Sequence, residues 1–367
     1  MGKAIAVAAC CALAAAFAQA ARAEGEDAVS LYGFVNADVE SVKATGGPGI
    51  PERTRVSNNL TVLGVRGTER LGDGLKAIFQ LETSFPVDAP PPIFGGRDSG
   101  VGLVTPAGTV LAGMWMTPFK YGTNFLIDPF ANNTIAGING IMGNGFALGG
   151  NASATYSFDR RQMNSLQYWT PALAGFSARV MYGANEEKAA GRNPQMGSAL
   201  LSYSHGPLYA ALACERHDDY FATGTRDQAC RIAGMYKLGT LSVRASYERL
   251  RYEPTVATHV QRNAWMLGAV YTFGPNILRA SYVKALKSTG NATVAVGGIG
   301  APGGDTAAKQ AALSYGYALS KRTEVYLFWV RIDNGAKSAY NVPTNPLPGL
   351  VAGEDPQGFG IGMKMLF

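Results

Sequence analysis

Beyond its N-terminus the 367-residue sequence has no apolar run of about 18 or more residues, and charged residues make up only 16% of it. The first absence excludes a helical membrane span. The low charge, set against 17 tyrosines and 16 phenylalanines, excludes a disordered chain. Histidine is nearly missing, with only His205, His217 and His259. None of the three stands beside a serine in a recognisable motif, so no catalytic residue is expected, and no cofactor. Of the four cysteines, Cys214 and Cys230 lie outside the N-terminal 23 residues and lack neighbouring histidines at useful spacing, so no metal is expected either. The glycine-rich stretch "GGIGAPGGD" at 297–305 lacks the lysine and following helix of a phosphate loop and reads as an outer loop.

What is present begins with a leader. Residues 1–23 have a basic start at Lys3, an alanine-rich apolar stretch and small residues at A-x-A spacing before Glu24, the pattern of a cleaved export signal. A lipoprotein reading of Cys10 fails because the apolar stretch before it is too short. Removing Lys3 and Arg22 with the leader takes the 32 basic side chains to 30, against 26 acidic ones. That excess is too mild and dispersed for a nucleic-acid partner. Export to an oxidising compartment leaves Cys214 and Cys230, which are expected to form a disulfide clamping the loop between them; two unpaired thiols are the alternative.

Period-two alternation runs through residues 24–367, and helical periodicity does not. In "SLYGFVNADVE" Leu31, Val35, Ala37 and Val39 share one face, and Asn36, Asp38 and Glu40 the other. Phe79 and Leu81 oppose Lys76, Gln80 and Glu82; Phe176, Val180 and Tyr182 oppose Arg179; Val243 and Tyr247 oppose Arg244 and Glu248. Short links such as "HGP", "LGT" and "FGPN" alternate with long ones near 41–57, 86–96, 118–160, 186–194, 217–227, 253–261, 288–307 and 334–356. This wiring predicts an all-β fold, a transmembrane sixteen-stranded antiparallel up-and-down β-barrel with short turns at one end. "SATYSF" at 153–158 is assigned to the long segment rather than to a further strand, and "YLFWVRI" at 326–332 alternates poorly. The last strand carries Phe359, Ile361, Met363, Met365 and Phe367 on one face and is expected to pair with residues 29–40 to close the cylinder.

The stretches "SLYGFVNADVE", "GVRGTERLGDGLKAIFQLETSF", "NSLQYWTPALAGFSARVMYG", "ALSYGYALSKRTEVYLFWVRIDNG" and "GFGIGMKMLF" resemble the trimeric general porins of Gram-negative bacteria, in the β-proteobacterial and neisserial branch. The resemblance implies a homotrimer in the outer membrane, with lipid and lipopolysaccharide around it. It also implies a constriction loop (118–160) folded into each lumen, and passive diffusion of small hydrophilic solutes and ions. Phe367 looks like the family's assembly signal, read by the outer-membrane assembly machinery. Arg97 and Arg161 match two basic wall positions of the family, while Val62, Met114 and Gln167 stand where arginine is common. Arg97 shares parity with the outward Val101 and Leu103, which suggests a bulge, a rim position or a misplaced match.

Alternation alone points Arg66, Lys76, Arg179 and Arg244 inward, each either part of a charge filter or an ordinary wetted wall residue. Asp128, the one acid between Phe119 and Phe158, reads as a turn residue before Pro129 or as a filter charge. With the loop acid so isolated, mild anion preference or near neutrality is expected. A substrate-specific channel, and a surface adhesin or phage receptor on a barrel scaffold, are the alternatives.

Overall fold

A computed structural model describes residues 28–88, 95–131, 134–145, 156–184 and 191–367; the expected leader lies outside them. Sixteen strands are found among the described residues. The first eight are β1 (Ala28–Thr45), β2 (Ile50–Asn58 continuing as Val62–Gly72), β3 (Leu75–Ser84), β4 (Ser99–Thr105), β5 (Gly108–Met116), β6 (Arg161–Trp169), β7 (Phe176–Gly183) and β8 (Gln195–His205). The second eight are β9 (Leu208–Asp218), β10 (Arg226–Leu238), β11 (Leu241–Thr255), β12 (Thr258–Phe273), β13 (Asn276–Ala285), β14 (Ala308–Ala318), β15 (Thr323–Asn334) and β16 (Asp355–Leu366). Both segments of β2 pair with β1, which makes them one strand interrupted at residues 59–61. A two-residue piece, Thr289–Gly290, extends the wall beside β12.

Each strand pairs antiparallel with the next, and β16 returns to β1 in a continuous register from Phe34↔Leu366 to Thr45↔Asp355. The last rung is made by Phe367 itself, whose N–H donates to the Gly33 carbonyl at 3.1 Å. Closure is what permits such a sheet in hydrocarbon, because an open edge would strand its backbone groups at several kcal/mol each.

Burial is inverted relative to a soluble sheet. Leu31 and Ile361, both 63% exposed, stand outside, while Asn36, Asp38, Glu82 and Glu248 are covered inside. Phe176, Tyr236, Tyr271, Phe273 and Tyr317 point outward close to the short turns and form an aromatic girdle. Cys214 and Cys230 face each other across β9 and β10 with their sulfurs 2.07 Å apart, on the outer surface and not in the lumen.

Three expected long links are shorter than the pattern implies. β1 and β2 continue through 41–57, leaving a turn at 46–49; β11 and β12 leave only residues 256–257; β9 and β10 leave 219–225. Above the hydrocarbon both faces of a strand meet polar surroundings, so alternation fades while the hydrogen-bonded ladder goes on. Tyr156, Ser157 and Phe158 form no strand, and residues 153–155 lie outside the described chain.

Ile232, at the middle of β10, is 59% exposed between its cross-strand neighbours Leu212 and Tyr247. Ile232→Arg is expected to cost about 2–4 kcal/mol; disappearance of the heat-modifiable folded band on a gel is the readout. Separately, mature protein unfolded without reductant should take up no maleimide, and two per chain after reduction.

Candidate functional site

β5 is short because the chain leaves the wall at Thr117 and turns into the lumen. Thr117 caps the turn by accepting the Lys120 N–H, and Pro118 suits the first helical position. The helical turn Pro118–Lys120 runs directly into a π-helical turn, Tyr121–Phe125, with Ile138–Gly140 and Met142–Asn144 as further single turns. The loop returns beside its own start, where the Thr117 N–H donates to the Arg160 carbonyl at 3.2 Å.

Its apolar side chains face the wall. Phe119, Ile127, Ile135, Ile138, Ile141 and Met142 are fully buried, each contributing about 1.5–3 kcal/mol by removal from water. The wall beneath them is built from small residues, including Ala211, Ala213, Ala229, Ala233, Ala264 and Ala312, which leave room for the loop. Gly122 lies so close to this wall that a Cβ there would stand 2.4 Å from Leu200, and its carbonyl accepts the Tyr209 hydroxyl at 2.9 Å.

Polar anchors hold the loop along β8 to β14. Glu248 accepts the Gly143 N–H through both oxygens, at 3.0 and 3.1 Å. The same carboxylate binds Arg231 at 2.5 Å and Arg262, and Arg262 also donates to the Ile141 carbonyl at 2.8 Å. Gln310 donates to the Gly137 carbonyl, and Asn124 binds Asp159. Gly143 adopts φ +70° with Asp159 close against it, so a side chain there is excluded on two counts. Burial raises the proton affinity of the Asp159 carboxyl and lowers that of the Lys120 amine, while the attraction between the two opposes both shifts.

The residues singled out from sequence divide into groups. Arg97 lies in the turn before β4, outside the alternating strand, which removes the parity conflict; its Nε meets Glu82 at 2.6 Å. Arg161 meets Asp98 at 2.7 Å. Both guanidinium groups are therefore charge-matched and nearly covered. Asp128 is 1% exposed and accepts the Phe130 and Ile138 N–H groups within its own loop, the geometry of a turn residue.

Arg244 donates to the loop carbonyls of Ile127 and Asp128. Arg179 stacks on Tyr121 and Trp169, at 3.7 and 4.2 Å from the ring centroids. Arg66 lies over Tyr32, and Lys76 is exposed beside the short turn. Val62 is buried, and Gln167 is tied to Trp169. His217 is stacked between Phe158 and Tyr220 with Glu215 on its Nε2, and no serine is among these contacts.

The anchors Arg231, Glu248, Arg262 and Gln310 were not singled out as a site from the sequence. A signal was present: the strands from 208 to 318 carry alanines at inward positions, where a wetted wall would be polar.

A family model described as "Gram-negative porin" matches residues 6–337. The chain is 26% identical over 376 residues to outer membrane porin protein 32 of Delftia acidovorans, covering 96% of this chain and 98% of that one. It is 27% identical to major outer membrane protein P.IB of Neisseria gonorrhoeae over 345 residues, covering 84% of this chain and 90% of that one. The solved anion-selective porin from Comamonas acidovorans superposes with a TM-score of 0.77 at 24% identity, covering 93% of this chain and all of that one.

Glu248→Ala would leave two buried guanidinium groups without their carboxylate, a loss of about 3–5 kcal/mol. The loop is expected to detach, read as new protease cleavage within 134–145 and as noisy, enlarged conductance, with the barrel itself retained on a gel.

Proposed function

The chain belongs to the Gram-negative porin family, and from that premise we propose that a mild anion preference arises in the half of the lumen below the loop. The protein is a passive outer-membrane diffusion channel, in which solutes move down their own gradients. The observation that carries the selectivity reading is the distribution of inward-facing charge. At the narrowing, Arg97 with Glu82 and Arg161 with Asp98 cancel. Toward the short-turn end, Arg66, Lys76, Arg179, Arg244, Arg279 and Lys364 stand on inward positions of their strands. The acids met near them are Glu324, bound to Arg279 at 2.7 Å, and Glu82, which accepts the hydroxyl of the Tyr32 ring under Arg66, fewer than the cations named. A low-dielectric wall focuses such an excess into the water column and raises the local anion concentration.

Three copies are proposed to assemble through the outer surface. A concavity of about 1100 Å³ there is lined by Val39, Ala269, Leu313, Leu327, Phe359 and Ile361, which is apolar surface shaped for more than fluid lipid. Lipopolysaccharide around the outer rim, cleavage of the leader before Glu24, and reading of Phe367 by the assembly machinery complete the proposal. No enzymatic role is assigned.

In a planar bilayer the purified protein should give ohmic steps in threes. Under a salt gradient the reversal potential should show chloride modestly favoured over potassium, and Arg66→Glu with Lys76→Glu should move it toward cations. Strong cation preference in the unaltered protein would contradict the reading.

A further inference from the structure

Arg179 is unusual among the inward cations. It makes no hydrogen bond or ion pair among the described residues, and its guanidinium lies over the rings of both Tyr121 and Trp169. Both stacking partners are held in place. Tyr121 belongs to the π-helical turn of the loop, and the Trp169 Nε1 donates to the Gln167 side chain at 2.8 Å while Trp115 packs edge-on at 5.8 Å. Leu111 and Met181 are buried behind them on the wall. Tyr121, Trp169 and Arg179 themselves remain partly exposed on the inward side.

A porin lumen is ordinarily polar, so an apolar, aromatic patch around an unpaired guanidinium is not required by the barrel. With its contacts made by ring faces, the guanidinium keeps the donors that project in its own plane, the geometry that meets a carboxylate with two parallel hydrogen bonds. Tyr121 also stacks on Phe125, so it is the indole of Trp169, larger than the guanidinium over it, that offers stacking to a flat apolar body.

We propose that Tyr121, Arg179 and Trp169 form a transient binding site for planar organic carboxylates on the periplasmic side of the loop. This deepens the diffusion-channel reading and rests on it. The channel would then favour an aromatic carboxylate over an equally charged anion without a flat ring.

The test compares benzoate, cyclohexanecarboxylate and acetate, added to a bilayer bathed in potassium chloride. Current is expressed relative to each variant's own chloride conductance, and each variant is first shown to be folded by heat modifiability. Benzoate should reduce the current at concentrations at least about threefold lower than cyclohexanecarboxylate. Trp169→Ala and Arg179→Gln should each weaken that effect by about tenfold, and Trp169→Phe should largely restore it. Equal action of benzoate and cyclohexanecarboxylate, or unchanged block in both variants, would overturn the site and leave the channel standing. A parallel titration of the detergent-solubilised protein follows tryptophan emission. Benzoate binding there without any conductance would keep the site and remove the channel, whereas neither binding nor conductance would remove both.

Discussion

Every other feature depends on one constraint: backbone amides and carbonyls in hydrocarbon must find partners within the protein. Sixteen strands meet it by closing, and the β1–β16 ladder is the joint where closure succeeds or fails. Closure forces the alternating side chains to choose between lipid and lumen, which is why the exposed residues are Leu31, Val39, Leu327 and Ile361 and the covered ones are charged. It also produces a cylinder too wide to be filled by its own inward side chains. The described residues between 117 and 160 occupy part of that space.

Keeping a loop there is an energetic problem of its own. Its backbone is irregular and buried, so the carbonyls and N–H groups that no turn satisfies need partners on the wall. Glu248, Arg262, Gln310 and Tyr209 supply them, while isoleucines over alanines supply the apolar contact. Ionising Glu248 away from water is costly, and the cost is offset only because two guanidinium groups and a backbone N–H converge on it. The buried ion pairs around Glu248 thus serve to hold the loop, and they are distinct from the inward cations nearer the short turns.

Much of this was legible in residues alone. Alternation in "SLYGFVNADVE" placed Val39 outside and Glu40 inside, and the run Phe359 to Phe367 indicated the closing strand. "YLFWVRI" resisted the pattern because Tyr326, Phe328, Val330 and Ile332 are buried on the inward side, in one cluster with the folded-in loop, so both faces of that strand carry large apolar side chains. Arg97 misled by parity because it precedes its strand. Hairpin 41–57 read as a loop because its outward side chains rise out of the hydrocarbon.

The sequence by itself determined the period-two pattern, the sixteen-strand wiring, the closing partner of the last strand and the inward parity of Arg66, Arg179 and Arg244. These follow from local steric alternation and from the solvent each face must meet. Only the tertiary structure decided which inward charges meet partners far away in the chain. Glu248 finds Gly143 across 105 residues and Arg161 finds Asp98 across 63. No local rule relates positions so far apart in the chain until the curvature of the closed sheet brings them together.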